Sequence, residues 1–337
     1  MKIIKRLSRI FLILMILCHM LYAQDYQKIA QTGLQFLSVV SDAKAVAMAE
    51  AVTSINMGSS SLFFNPAAMA EMETFIDISG SSNKWIADIS HYTFSLAINP
   101  DNGRYGVFGF TLQSVDYGDF IGTVKTSDFK GYDDTEIFSL SALAVGFGYA
   151  RRLSDKFSVG GQVRYVHQDL GESIVPREPT ANDTSSTKTT SNEKSPLVFD
   201  FGTRFKTGIH SLVFAMSVRN FSTEIKYVDE PFQAPLVFNL GVSMDLVDLI
   251  GEVPFDQKLV MSIDANHHQD KKEQLKFGFD YQVLNLLSLR SGYITGEDLS
   301  GFSFGLGVTQ AGFTFDYSYT PFDLFDKVQR LTGRVSF

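Results

Sequence analysis

Taken every second residue from Gly301, the chain separates into two faces. Gly301, Ser303, Gly305, Gly307 and Thr309 are small or polar, while Phe302, Phe304, Leu306 and Val308 between them are apolar. The next stretch repeats the contrast, with Phe313, Phe315, Tyr317 and Tyr319 against Thr314, Asp316, Ser318 and Thr320. A period of two of this kind predicts strands with one apolar face. Fourteen such segments can be marked: 74–79, 85–98, 104–115, 136–150, 156–169, 197–206, 210–221, 236–245, 258–266, 274–283, 286–295, 301–309, 312–320 and 328–337.

A soluble sandwich also alternates, so the pattern alone does not name the solvent on each side. Composition does. The apolar face is heavy in aromatics, with 30 Phe and 13 Tyr against one Trp, as in the girdles of membrane barrels. The other face carries ions in mid-strand, Arg164, Asp200, Arg204, Arg219, Asp264, Asp280, Arg290, Asp316 and Arg334 among them. A sandwich core would not hold these unpaired, whereas a polar lumen would. With no helical pattern of membrane-spanning length after the leader, the fold class expected is all-β, a closed transmembrane antiparallel barrel of about 14 strands.

The connections alternate too. Those at 116–135, 170–196 and 222–235 are long, and those at 99–103, 151–155, 207–208 and 284–285 are tight, which predicts long loops outside and short turns in the periplasm. The 170–196 connection is polar and reads as a mobile, solvated loop. The 246–257 connection is long for the turn side, and Leu246, Val247, Leu249 and Ile250 predict a short amphipathic helix there.

Residues 1–23 read as a secretory signal peptide: Lys2, Lys5, Arg6 and Arg9, then an apolar run from Ile10 to Leu17, then Leu21-Tyr22-Ala23 as a cleavage site. The single cysteine, Cys18, leaves with it, which excludes a disulfide framework or a cysteine nucleophile in the mature chain. The full chain carries −8, and losing those four basic residues takes it to −12, a balance that argues against nucleic acid as a partner.

Residues 24–73 differ from everything after them. The stretch 42–52 is rich in alanine and carries only three charged residues, Asp42, Lys44 and Glu50, a composition that predicts a short close-packing helix. Gly58 and Ser59 to Ser61 then break it ahead of Phe63, Phe64 and an Asn65-Pro66 turn. About eight strands make the widest barrel that side chains alone can fill, so a fourteen-strand lumen needs a filling, and this segment is the expected plug.

The pairing of Asp42-Ala43-Lys44-Ala45 with Phe64-Asn65-Pro66-Ala67-Ala68 resembles the N-terminal signature of the PorV/PorQ family of FadL-like outer-membrane barrels. Val46-Ala47-Met48-Ala49 departs from the glycines common in that signature. The resemblance implies a hatch inside the barrel and a non-enzymatic component of type IX protein secretion, handling or attaching cargo proteins at the cell surface. The alternative it implies is a FadL-like transporter of hydrophobic small molecules, with an apolar pocket near Phe63 and Phe64. At the other end, Leu331, Val335 and Phe337 share a face, and a terminal aromatic resembles the signal read by the barrel-assembly machinery. Outer-membrane lipid is then the surrounding partner.

Other chemistry is thin. His267 and His268, as strand neighbours, point to opposite sides and would not share a metal. His91 with Ser90 and Ser95 lacks an oxyanion signature. Gly301, Gly305 and Gly307 precede no helix, so they cradle no phosphate and instead relieve crowding on the inner face. Asp133, Asp134 and Glu136 read as a solvated loop. No catalytic residue, metal or cofactor is expected.

Overall fold

The computed structural model describes residues 32–125, 129–176, 187–227, 230–249, 255–296, 301–321 and 327–337. The expected signal peptide and residues 24–31 lie outside the described residues. Seventeen strands follow one another: β1 (Ile76–Lys84), β2 (Ser90–Ile98), β3 (Val107–Lys125), β4 (Tyr132–Arg152), β5 (Phe157–Pro176), β6 (Thr187–Lys194), β7 (Leu197–Lys206), β8 (Val213–Ser222), β9 (Ile225–Lys226), β10 (Pro231–Phe232), β11 (Val237–Asp245), β12 (Gln257–His268), β13 (Gln274–Val283), β14 (Leu287–Ile294), β15 (Phe302–Gln310), β16 (Phe313–Thr320) and β17 (Val328–Ser336). All but the small β9–β10 ribbon join one antiparallel ring. β6 and β7 both pair with β5 and form one stave interrupted at Ser195-Pro196, so the closed barrel has fourteen staves. It closes where β1 meets β17, in register from Asp77 opposite Ser336 to Lys84 opposite Gln329. Phe337 extends the seam, its N–H and carbonyl exchanging hydrogen bonds with Ile76.

The alternation in the sequence becomes the two faces of this wall. Phe147, Phe201, Phe315 and Leu331 are more than half exposed on the outside, while Arg164, Asp200, Asp264, Asp280 and Asp316 are buried within. At one end the turns are tight. Leu284-Asn285 and Ala311-Gly312 each carry positive φ at both positions, the geometry that matches strand twist in a two-residue hairpin. At the opposite end β3, β4 and the β5–β6 hairpin run on past their neighbours.

Several expectations are corrected. The 116–135 and 170–196 connections are not loops: β3 and β4 continue to Lys125 and from Tyr132, and β5 pairs with β6 as far as Pro176 opposite Thr187. Polar residues there removed the apolar alternation, but a hairpin that runs on past its neighbouring staves can pair without it. Residues 177–186 lie outside the described residues. The 222–235 connection holds the β9–β10 ribbon. The helix expected at 246–257 is a single 3-10 turn, Leu246–Leu249, with 250–254 outside the described residues.

Residues 32–72 occupy the barrel interior and run from the hairpin end to the turn end. Thr32 bridges to Gln233 beside the β9–β10 ribbon, and Met72 gives its carbonyl to Asn99 Nδ2 at 2.7 Å, near the turn end. Three apolar clusters follow the axis: one around Phe36 and Leu37, one around Met48, Met57 and Phe64, one around Leu62, Met69 and Met72. The helix expected over 42–52 is shorter, α1 (Ala43–Ala47), capped by the Asp42 side chain accepting from the Ala45 N–H. It stops because Ala49 and Glu50 turn to positive φ, which lays their backbone flat on the wall.

Candidate functional site

The N-terminal segment is too irregular to satisfy its own backbone, so the wall does it. Asp264 accepts from the Thr53 N–H at 2.9 Å, and the Thr332 hydroxyl accepts from the Ala43 N–H at 2.8 Å. Gln113, Asn83, Arg330 and Arg204 donate to the carbonyls of Phe36, Val40, Val40 and Ser54. The polar inner face predicted from sequence thus serves a protein filling as much as water.

Close approach needs glycines opposite alanines. A Cβ on Gly305 would lie 2.4 Å from Ala47 Cβ, on Gly292 2.3 Å from the Ala49 nitrogen, and on Gly160 2.6 Å from the Ala67 nitrogen. Of the three glycines expected to relieve inner crowding, Gly305 does so, and Gly307 leaves room for Asp316 and Arg290. Gly301 instead faces the Tyr293 ring.

Ion pairs then pin the segment. Asp42 approaches Arg334 at 3.6 Å, Lys44 approaches Asp280 at 3.5 Å, and Glu50 meets Lys276 at 2.8 Å. Near the turn end Glu71 is 3.7 Å from Arg204, pairs with Lys206 and accepts from Ser158. Burial alone would raise the Glu71 carboxyl, but the Lys206 hydrogen bond and the Arg204 charge outweigh it and hold the group below the usual glutamate range. Glu50 behaves alike: burial opposes its charge, yet Lys276, with Arg330 and Arg219 farther off, keeps it low. Within the wall, Arg164 binds Asp200 at 2.8 Å and Arg290 spans Asp280 and Asp316 at 3.0 and 2.6 Å. Most of the mid-strand ions thus form a paired filling, Arg164, Asp200, Arg204, Asp280, Arg290, Asp316 and Arg334 among them.

The signature residues therefore fall in two places. Asp42, Ala43 and Lys44 lie against β13 to β17. Asn65, Pro66 and Ala67 lie against β5 and β7, with Asn65 accepting from Ala67 and donating to Thr53 and Thr203 carbonyls. Phe64 packs in the central cluster under the Arg219 guanidinium, 5.8 Å from its ring. The cavities that Phe63 and Phe64 line here are about 10 and 40 Å³, too small for the apolar pocket expected there. At the seam, Leu331 and Phe337 face outward and the Phe337 ring meets Phe313 edge-on at 6.0 Å.

Larger spaces lie at the hairpin end, among them an open one of about 660 Å³ beside the β9–β10 ribbon, lined by Thr32, Glu224, Tyr227, Phe232 and Gln233. A cleft of about 340 Å³ opens between the segment's Val39, Val40 and Val46 and a wall that includes Trp85, Ile86 and Ile294, with Glu50, Lys276 and Arg330 at its polar side. Its lining comes from six staves, the β1–β2 connection and the segment, so no local run of sequence signals it. Elsewhere, His267 points out toward Glu273 and His268 points in toward this cleft, as the strand period requires. His91 is buried, and Ser95 bonds Ser59 rather than a histidine. No cluster of metal-ligating side chains occurs among the described residues.

No family model matches the chain, and no curated protein does. Among solved structures it is similar to the toluene transporter TbuX of Ralstonia pickettii, at TM-score 0.57 and 12% identity over 88% of this chain and 98% of that one. The toluene transporter TodX of Pseudomonas putida gives 0.57 and 13% over 92% and 99%. A FadL homologue of Pseudomonas aeruginosa gives 0.52 and 12% over 88% and 98%. At such identity the likeness concerns the fold alone, and that fold is the fourteen-strand barrel of FadL-like outer-membrane proteins.

Proposed function

We propose that this barrel sits in the bacterial outer membrane, hairpin end to the cell surface, and passes small, largely apolar molecules inward past its N-terminal hatch without chemistry of its own. The observation that carries the reading is the cleft of about 340 Å³ between hatch and wall at the hairpin end. Its volume lies at the small end of ligand pockets, about 300–1,000 Å³, which fits a single ring or short chain rather than a long one. Barrels of similar fold include toluene transporters and a monoaromatic hydrocarbon channel, which supports the same class of cargo. Cells expressing the protein should take up labelled toluene faster than cells without it, and Val39→Trp, which fills the cleft, should remove most of the gain while the barrel still folds. Equal uptake with and without the protein would sink the proposal.

A role in type IX secretion is the second reading. Support comes from the paired signature, whose two halves lie at two of the places where the hatch meets the wall, and from the β3–β4 and β5–β6 hairpins, which offer surface to a cargo protein. Loss of the gene should then leave proteins with type IX C-terminal signals in the periplasm or unattached, with toluene uptake unchanged. Normal display of those proteins would remove this reading.

A further inference from the structure

Arginines on the inner face fall into two groups among the described residues. Arg164, Arg204, Arg290 and Arg334 each have a carboxylate within 4.0 Å. Arg219 and Arg330 have none. Arg330 is 3% exposed, donates to the Val40 carbonyl at 3.0 Å and the Thr320 hydroxyl at 3.1 Å, and lies 5.3 Å over the Trp85 ring. Arg219 faces Phe64, and its Nε has no hydrogen-bond partner. Burying a cation without a counter-charge is costly, and every other inner-face arginine named above avoids it.

Both guanidiniums border the same region. Arg330 lines the cleft with Lys271 and Lys276, and Arg219 lines the small cavity beside it, which shares Ser38, Val40, Glu50, His268 and Lys276. The one acid on either lining is Glu50, already bound to Lys276 at 2.8 Å. The site therefore holds a surplus of positive charge beside an apolar wall of Val39, Val46, Ile86 and Ile294.

We propose that the cleft binds a small aromatic monocarboxylate, its ring against the apolar wall and its carboxylate at Arg330, in the counter-ion position that no side chain fills. A guanidinium edge matches a carboxylate, while a strongly hydrated dianion would not enter beside valine and isoleucine. The cleft's size limits the body to about one ring. This rests on the transport reading above and adds, among its small ring-bearing cargoes, one that carries a carboxylate and is held more tightly than the neutral ring.

Trp85 is the chain's only tryptophan and lines the cleft, so its fluorescence reports binding directly. Purified full-length barrel in a nonionic detergent would be titrated with benzoate, toluene and hexanoate. Benzoate should change the emission saturably, bind at least tenfold tighter than the other two, and weaken as salt is raised. Arg330→Gln should cost tenfold or more, Arg330→Lys much less, and Glu50→Gln should tighten benzoate. Should Arg330→Gln fail to fold, the salt dependence of the unaltered protein still decides, since a neutral-site ligand shows none. Toluene binding as tightly as benzoate, hexanoate matching it, or a salt-independent affinity would overturn the proposal. Toluene uptake without benzoate binding leaves the transport reading standing and removes this one; absence of both removes the two together.

Discussion

Gly292→Ala tests the packing of the hatch with a single methyl. The new Cβ would stand 2.3 Å from the Ala49 nitrogen, 2.5 Å from the Met48 carbonyl carbon and 2.6 Å from the Ala49 Cβ. None of these can swing aside, because two are main chain and the third is fixed to it. Restoring ordinary contact means moving the segment by roughly 1 Å, and overpacking of that kind costs about 1–3 kcal/mol. Against it stands the gain of about 0.5–1 kcal/mol from removing a glycine from a strand. The net loss expected is centred at about 1 kcal/mol and reaches at most about 2.5 kcal/mol, and it should fall on the hatch first. Gly80→Ala is the control: it sits in β1, where the nearest atom to a new Cβ is the Thr93 carbonyl at 4.0 Å, so that variant should be neutral or slightly more stable. Urea unfolding in micelles, followed by the gel shift between unheated and heated samples, gives stability. Limited proteolysis within 32–72 gives hatch release. If Gly292→Ala matches Gly80→Ala in both assays, the segment does not lie on the wall as described.

Asp200→Ala leaves Arg164 buried without its partner, and loss of one member of such a pair costs about 3–5 kcal/mol, readable as a lower urea midpoint. Deleting Phe337 removes two seam hydrogen bonds and the contact with Phe313, and should cut the folded form seen on unheated gels. Acid should loosen the turn end of the hatch: the Glu71 carboxyl is held below its ordinary 4.5, so its contribution is complete above that value and is lost as pH falls through the lower folded value. Proteolysis near Glu71 should rise at acid pH, and much less so in Glu71→Gln. A protease site inserted in 170–196 should be cut on intact cells while one at 207–208 is protected; the reverse would invert the topology.

The wall was legible in the sequence because lipid leaves no freedom in it. Leu197–Lys206 and Gln274–Val283 coincide end to end with the strands read from alternation, since each is mainly apolar and aromatic outward and mainly polar inward. Where lipid ends, the code ends: Asp119 to Thr123 and Glu193 to Lys194 belong to strands, yet nothing in their side chains announces a face. The alanine run was readable as close packing but not as five helical residues, because the glycines that let Ala49 and Glu50 turn flat stand more than 200 positions away, at Gly278 and Gly292. The cleft was invisible for the same reason. Arg330 looks in sequence like the other inward arginines, and only the fold reveals that no carboxylate faces it.

The seam and the hatch are one structure in time as well as in space. Ala43 donates to Thr332 in β17, and Asp42 reaches Arg334 in the same strand, while Asp77 in β1 accepts from the Ser59 N–H and from the Ser336 hydroxyl across the join. Each of the two strands that complete the ring is thus bonded to the segment inside it. A ring sealed while empty would have to admit some forty residues, led by the end that finishes at the far mouth, through a bore already lined with charge. These contacts favour wrapping over threading as the order of assembly, with the staves joined last to first over a filling already in place.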